Sequence, residues 1–241
     1  SLQDLSNGSL SPGVATTDAN GRAAVQFIAG GNSTPAGGVV IKAQVASTAI
    51  EATTSLTVNG EALFISIGFG NEMSNLDQTT YEKEFSIYVT DVNGNAVGGQ
   101  ELTLSVIPNE YRKGVMVLSD KWGQLVRATC PNEDANFNGV MDAGEDKNVN
   151  GQLTPGNVVV ATPGKVTTGL DGRTSFRLRY GEQYALWLSV DIVARGSVGG
   201  TESRQKINFN LPILASDVSG DASPAGVLSP FGSSDSCLNA N

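Results

Sequence analysis

Between residues 134 and 145 the chain places an oxygen-bearing side chain at almost every second position. Asp134, Asn136 and Asn138 stand first, third and fifth, Gly139 sixth, Asp142 ninth and Glu145 twelfth. Val140, in seventh place, would add its backbone carbonyl. A twelve-residue loop with this spacing wraps six to eight hard oxygen ligands around one calcium ion; the glycine makes the sharp turn and the last glutamate binds through both oxygens. The pattern then starts again: Asp146, Asn148, Asn150 and Gly151 repeat it and Gln152 stands seventh, but the twelfth residue is Asn157. A weaker second calcium site, or one sharing Asp142 or Glu145 with the first, is the expectation. Five carboxylates (Glu133, Asp134, Asp142, Glu145, Asp146) face Lys147 alone, and they would repel one another without a cation. The alternative is an Asn/Gly-rich turn cluster that binds nothing.

Little else in the sequence can do chemistry. There is no histidine among the 241 residues, which removes Ser-His, Cys-His and His-metal sites together. The chain is not expected to be an enzyme. Its net charge of −9 opposes nucleic acid and acidic lipid, whose phosphates need clustered Lys and Arg. No apolar run approaches the roughly 18 residues of a membrane helix, so no transmembrane segment is expected. Tyr81, Tyr88, Tyr111, Trp122, Tyr180, Tyr184 and Trp187 could form a sugar-stacking platform, although aromatics on strands more often fill a core. Arg173, Arg177 and Arg179 fall on one strand face, which reads as a solvated row. Glu82 and Glu84 share a face too, without any sign of a pocket for glycoside chemistry.

The elements that must carry the loop read as strands. Period-two alternation recurs in Phe85-Ile87-Val89, Leu102-Leu104-Val106, Val39-Ile41-Ala43-Val45 and Leu186-Leu188-Val190-Ile192, whereas helical periodicity is almost absent. Each run offers one row to a core and the other to water or a partner layer. Asn-Gly, Asp-Gly and Gly-Gly pairs between the runs supply turns, and glycine, 29 residues in all, is abundant. The fold class is all-β, an antiparallel sandwich.

An internal repeat divides the chain. Thr16–Phe27 aligns with Thr167–Leu178 at an offset of 151, sharing Thr-Thr and Gly-Arg in register. Val39 to Val45 align with Leu186 to Ile192 at an offset of 147, and Leu56 and Val58 with Ile207 and Phe209 at 151. Three matches in order mark tandem modules. Thr16–Gly21, together with Val89-Thr90-Asp91-Val92-Asn93-Gly94-Asn95-Ala96-Val97, resembles the bacterial immunoglobulin-like modules of the invasin and intimin group. In that family a VTDxNGNxV segment opens the early strands and a T(T/D)xxGxAxV segment the late ones. The resemblance implies two-sheet sandwiches in surface-exposed, often rod-like bacterial proteins. The loop, flanked by Pro131 and by Pro155-Gly156 rather than helices, is similar to those of thrombospondin type 3 repeats and dockerin-like segments. That implies a structural calcium role rather than signalling.

On this mapping residues 1–59 hold only the late-strand half of a first module. Residues 60–215 hold a complete second module with a calcium-loop insertion at about 130–157, and 216–241 form a Ser/Gly/Pro-rich tail. A half sandwich exposes an apolar face and raw strand edges, so polypeptide outside its module should cover it. Ser1 in place of Met predicts a fragment of a longer precursor. Cys130 and Cys237, 107 positions apart, match no zinc or CxxC spacing. Spacing alone leaves two buried thiols and a bridge equally open. The acidity and the calcium-type loop suit an exported protein, where disulfides persist, and favour the bridge. The expected role is an extracellular or cell-surface structural or adhesive segment. Its partners would be other modules of the precursor or neighbouring subunits, with a protein or glycan as surface ligand. The alternatives are a non-catalytic carbohydrate-binding module of a secreted hydrolase and a filament subunit completed by a neighbour's strands.

Overall fold

The computed structural model describes residues 1–30, 34–58, 63–198 and 201–241. It divides the chain into two compact units, Ser1–Ala62 and Leu63–Asn241; the expected module boundary at residues 59 and 60 falls outside the described residues. The fold is all-β; among the described residues helix is confined to single turns at Glu182–Tyr184 and Ala215–Val218.

The first unit contains β1 (Leu2–Asp4), β2 (Ser9–Ser11), β3 (Gln26–Ile28), β4 (Val39–Gln44) and β5 (Glu51–Leu56). They form a three-stranded sheet, β1-β4-β5, and a separate β2-β3 pair. Val39 is fully buried, but Val25, Ile28, Val45 and Leu56 lie 41–54% exposed. Phe27, Ile41 and Val58 are half-buried, so the apolar rows of this unit are only partly covered.

The second unit is a two-layer sandwich. Its strands are β6 (Phe64–Phe69), β7 (Ser74–Asn75), β8 (Thr80–Thr90), β9 (Glu101–Leu118), β10 (Trp122–Pro131), β11 (Val159–Thr162), β12 (Lys165–Thr167), β13 (Arg173–Gly181), β14 (Leu188–Val198) and β15 (Thr201–Asn210). One sheet runs β10-β9-β14-β15 with β12 added to β9; the other runs β11-β13-β8-β6 with β7 added to β8. The alternating rows do what their period requires: Phe85, Ile87 and Val89 are at most 1% exposed, as are Leu102, Val190 and Ile192. Phe85 stacks on Phe176 at 5.2 Å within its sheet and meets Phe209 of the opposite sheet edge-on at 5.0 Å. Such pairs contribute about 0.5–1.5 kcal/mol each beyond the area they bury.

The repeat is visible in the pairing. Ser11 faces Gln26 in β2-β3, and Thr162 faces Arg177 in β11-β13, the same register at an offset of 151. The preceding turn recurs as well: Asp18 N–H donates to Arg22 O (2.7 Å) and Gly169 N–H to Arg173 O (2.8 Å). Gly21 and Gly172 close that turn at φ of +75° and +72°, a conformation that favours glycine. The expected match of Val39 with Leu186 does not hold. Leu186 has φ +67° and lies in a turn before β14 begins at Leu188. Val39 faces Leu56 as Ile192 faces Ile207, so this strand carries an offset of 153.

The C-terminal residues are no free tail. β9 outruns β14, and residues 227–232 occupy the edge it leaves: Met116 N–H donates to Val227 O (2.7 Å) and Gly114 N–H to Gly232 O (2.9 Å). Phe231 packs between Tyr111 and Tyr184, with ring centroids at 5.0 and 5.8 Å. Trp187, fully buried, donates its indole N–H to Gly226 O at 2.8 Å. Composition suggested a tail because Ser, Gly and Pro dominate it; a few apolar anchors at the right spacing suffice to dock it.

Candidate metal centre

The insertion leaves the sandwich where β10 ends and returns where β11 begins. Cys130, next to the last residue of β10, is bonded to Cys237. Just beyond, Asn132 is pinned to β9: its N–H donates to Asn109 O (2.9 Å) and its carboxamide to Pro108 O (2.7 Å). Asn109 in turn donates to Asp191 of β14 at 3.0 Å. The insertion thus starts from a cross-linked, sheet-anchored point.

From Asp134 the backbone folds around its own side chains. The Asp134 carboxylate accepts the N–H groups of Asn138 (3.1 Å) and Gly139 (2.9 Å). Asn136 Oδ1 accepts Asn138 N–H (3.0 Å), and Asn138 Oδ1 accepts Val140 N–H (2.6 Å). Gly139 has φ +74°, as the sixth-position turn requires. Glu145, 8% exposed, curls back so that Oε1 accepts Ala135 N–H (3.0 Å) and Oε2 accepts Asp142 N–H (2.9 Å). Asp142 Oδ2 accepts the carboxamide N–H groups of Asn136 (2.8 Å) and Asn138 (2.9 Å).

The second loop repeats this twelve residues on. Asp146 accepts the N–H groups of Asn150 (3.0 Å) and Gly151 (2.9 Å). Asn148 Oδ1 accepts Asn150 N–H (3.0 Å), Asn150 Oδ1 accepts Gln152 N–H (2.8 Å), and Gly151 has φ +78°. Thr154 replaces Asp142, receiving the carboxamides of Asn148 (2.8 Å) and Asn150 (3.1 Å) on Oγ1. The expected sharing of Asp142 or Glu145 is not what the hydrogen bonds give: both carboxylates receive groups of the first loop. The carboxylate that reaches the second loop is Glu133, whose Oε1 accepts the N–H groups of Lys147 (3.0 Å) and Asn148 (2.9 Å). Its Oε2 accepts Thr154 N–H at 2.9 Å.

The donor set suits a hard cation. It consists of oxygens from carboxylates, carboxamides, a threonine hydroxyl and the backbone, without sulfur or imidazole. Among the described residues, none of the five carboxylates is in an ion pair. Nor, among those residues, do three or more acidic side chains converge on a metal-sized point. In the first loop the two asparagine carboxamides turn N–H groups toward Asp142. The second loop touches the sandwich at Tyr111, whose hydroxyl pKa is raised first by burial and also by the Glu133 charge, with Asn148 working the other way.

The remaining candidates separate clearly. Tyr81, Tyr111, Tyr180 and Trp187 are at most 2% exposed and belong to the core, while Tyr88, Trp122 and Tyr184 are half-buried. Arg177 and Arg179 pair with Glu82 at 3.3 and 2.7 Å, and Arg173 lies over the Tyr88 ring at 5.1 Å; the row is a solvated, charge-paired face. Sequence reasoning missed two residues. Glu133 was counted only for its charge, although the pair Glu133-Asp134 recurs as Glu145-Asp146. Lys113 is fully buried on β9, and its ammonium donates to Ser234 Oγ (2.8 Å), Ser236 O (2.9 Å) and Asn239 O (2.7 Å). Its spacing of two from Tyr111 was the one signal that it points inward. No family model, curated protein or solved structure matches this chain.

Proposed function

We propose that this chain is a structural or adhesive segment of an extracellular bacterial surface protein, its insertion made rigid by calcium and by the Cys130–Cys237 bridge. The observation that carries the reading is the first loop: Asp134, Asn136, Asn138, Asp142 and Glu145 stand at ligand spacing and are folded around one another by their own backbone N–H groups. Calcium would supply the positive charge that this acidic segment lacks. Asp134 and Glu145 would hold it from the two ends of the loop, Asn136, Asn138 and Asp142 from its middle, and Val140 through its carbonyl. Pinned to β9 by Asn132 and to the C-terminal segment by the disulfide, a stiffened insertion becomes part of the sandwich rather than a loose loop. The disulfide supports an oxidising compartment. The exposed Val25, Val45 and Leu56 of the first unit favour a partner there, either another module of the same protein or a neighbouring subunit as in a filament. Calorimetric titration of the metal-stripped protein with calcium is the test. At least one site is expected, lost in Asp134→Ala and Glu145→Ala; a melting temperature unmoved by chelator would overturn the structural role.

A further inference from the structure

We infer that Glu133 is the twelfth ligand of the second loop, so that the segment from Glu133 to Thr154 holds two calcium ions rather than one and a remnant. The inference rests on the calcium reading of the first loop and extends it to a residue that lies outside both twelve-residue patterns.

Counting forward from Asp146, the twelfth residue is Asn157, a neutral side chain in the place where calcium loops need a bidentate carboxylate. Glu133 makes good that deficit. In the first loop Glu145 forms three bonds: its N–H donates to Asp142 O (3.2 Å), Oε1 accepts the second-position N–H of Ala135, and Oε2 accepts the ninth-position N–H of Asp142. In the second loop Glu133 forms the same three: its N–H donates to Thr154 O (2.9 Å), Oε1 accepts Lys147 N–H, and Oε2 accepts Thr154 N–H. Ala135 and Lys147 are both second residues of their loops, and Asp142 and Thr154 both ninth. Glu133 therefore stands to the second loop as Glu145 stands to the first, although it precedes its loop in sequence instead of ending it.

Burial adds a second argument. Glu133 is 4% exposed, and no ion pair among the described residues includes it. Three N–H donors hold both carboxylate oxygens at the second loop, and a cation there would supply the opposite charge that no side chain among the described residues provides. With calcium in the second loop, Asp146 and Glu133 would supply its two carboxylates, while Asn148, Asn150, the Gln152 carbonyl and Thr154 fill the remaining positions. The two loops then close into a ring. Neighbours Glu133 and Asp134 serve different ions, and so do neighbours Glu145 and Asp146.

Calcium titration of the metal-stripped chain by calorimetry, with Glu133→Gln and Asn157→Ala alongside, tests the assignment. The wild-type chain is expected to bind about two equivalents, Glu133→Gln about one, and Asn157→Ala about two. The glutamine keeps the shape and one of the two acceptor oxygens, so a role confined to holding the loop weakens that hold but leaves two equivalents in that variant, a result that overturns the inference. One equivalent in the wild type, or loss of one in Asn157→Ala, overturns it as well while leaving the first loop's calcium intact. No binding at all overturns the calcium reading itself. Should Glu133→Gln fail to fold, carboxylate carbon NMR of the wild-type chain labelled at glutamate Cδ decides. Glu133 and Glu145 should both shift as calcium is added, and a shift of Glu145 alone refutes the assignment.

Discussion

Reducing the Cys130–Cys237 bond should lower the melting temperature of the second unit by about 12 °C. The bond joins residues 107 apart, and in the chain-entropy model a loop of that length removes about 4.7 kcal/mol of unfolded-state freedom at 25 °C. The second unit runs from Leu63 to Asn241; at about 2.1 cal/mol/K per residue its unfolding entropy is about 0.38 kcal/mol/K, and the quotient gives the shift. The loop closed by the bond takes in the whole insertion and β11 to β15, so the cross-link constrains every chain that unfolds the sandwich. That argument holds only if the insertion and the C-terminal segment melt together with the sheets. The docking of Phe231, Trp187 and Lys113 says they do. Scanning calorimetry of the wild-type protein with and without a phosphine reductant, in saturating calcium, measures the shift with both sulfurs kept. Cys237→Ala, which leaves the buried Cys130 in place, should reproduce it. A shift below about 3 °C would mean that residues 233–241 detach locally before the sandwich opens, and the single cooperative unit would be wrong.

Lys147 is the sole basic residue between Arg127 and Lys165, so trypsin should cut after it in chelator and spare it in calcium. The two halves stay joined by the disulfide, and the nick should appear only on a reducing gel. Lys113→Met removes an ammonium bonded to Ser234, Ser236 and Asn239. It should cost about 2 kcal/mol by denaturant titration and speed reduction of the Cys130–Cys237 bond. Gly172→Ala brings a Cβ to 2.6 Å from Val89 O at φ +72° and should cost about 2–3 kcal/mol. Gly21→Ala, in the same turn with nothing within 4 Å, should cost only about 1 kcal/mol. The Glu182 pKa is raised by burial first, then by the charges of Asp217 and Asp77. The folded chain therefore takes up this proton before the unfolded chain as pH falls. The penalty is present at neutral pH, is relieved as pH drops through the folded value, and is gone below the unfolded one. Glu182→Gln should raise the melting temperature at pH 7 and leave it unchanged at pH 3.

Strands were legible wherever a local period had a core to serve. Phe85, Ile87 and Val89 alternate and are buried, and the turn before β13 announces itself through Asp171-Gly172 and its echo at Asn20-Gly21. Register was legible only where a turn fixes it. β3 and β13 each follow such a turn, and their pairings with β2 and β11 share one offset. Between β13 and β14 the chain passes instead through a helical turn and Leu186, whose apolar side chain continues the alternation on paper while its backbone has left the strand. Periodicity counts residues and cannot register that two of them are spent on a turn.

The loops pose the same difficulty in a sharper form. A pattern such as D-x-N-x-N-G is local: each asparagine caps the N–H two residues on, and six consecutive residues contain most of the geometry they specify. The closing carboxylate is different, because it must return across the loop, and a linear pattern can search for it only at the twelfth place. In a tandem pair the residue before the first loop can occupy the same point in space relative to the second loop as the residue before the second occupies relative to the first. Glu133-Asp134 and Glu145-Asp146 are then one structural unit used twice, each glutamate serving the loop its neighbour does not begin. Nothing in the order of residues says whether two twelve-residue loops will lie end to end or fold back into a ring. Here the bonds from Glu133 to Lys147, Asn148 and Thr154 decide for the ring, and the absence of a glutamate at position 157 becomes a consequence of that closure rather than a defect of the second loop.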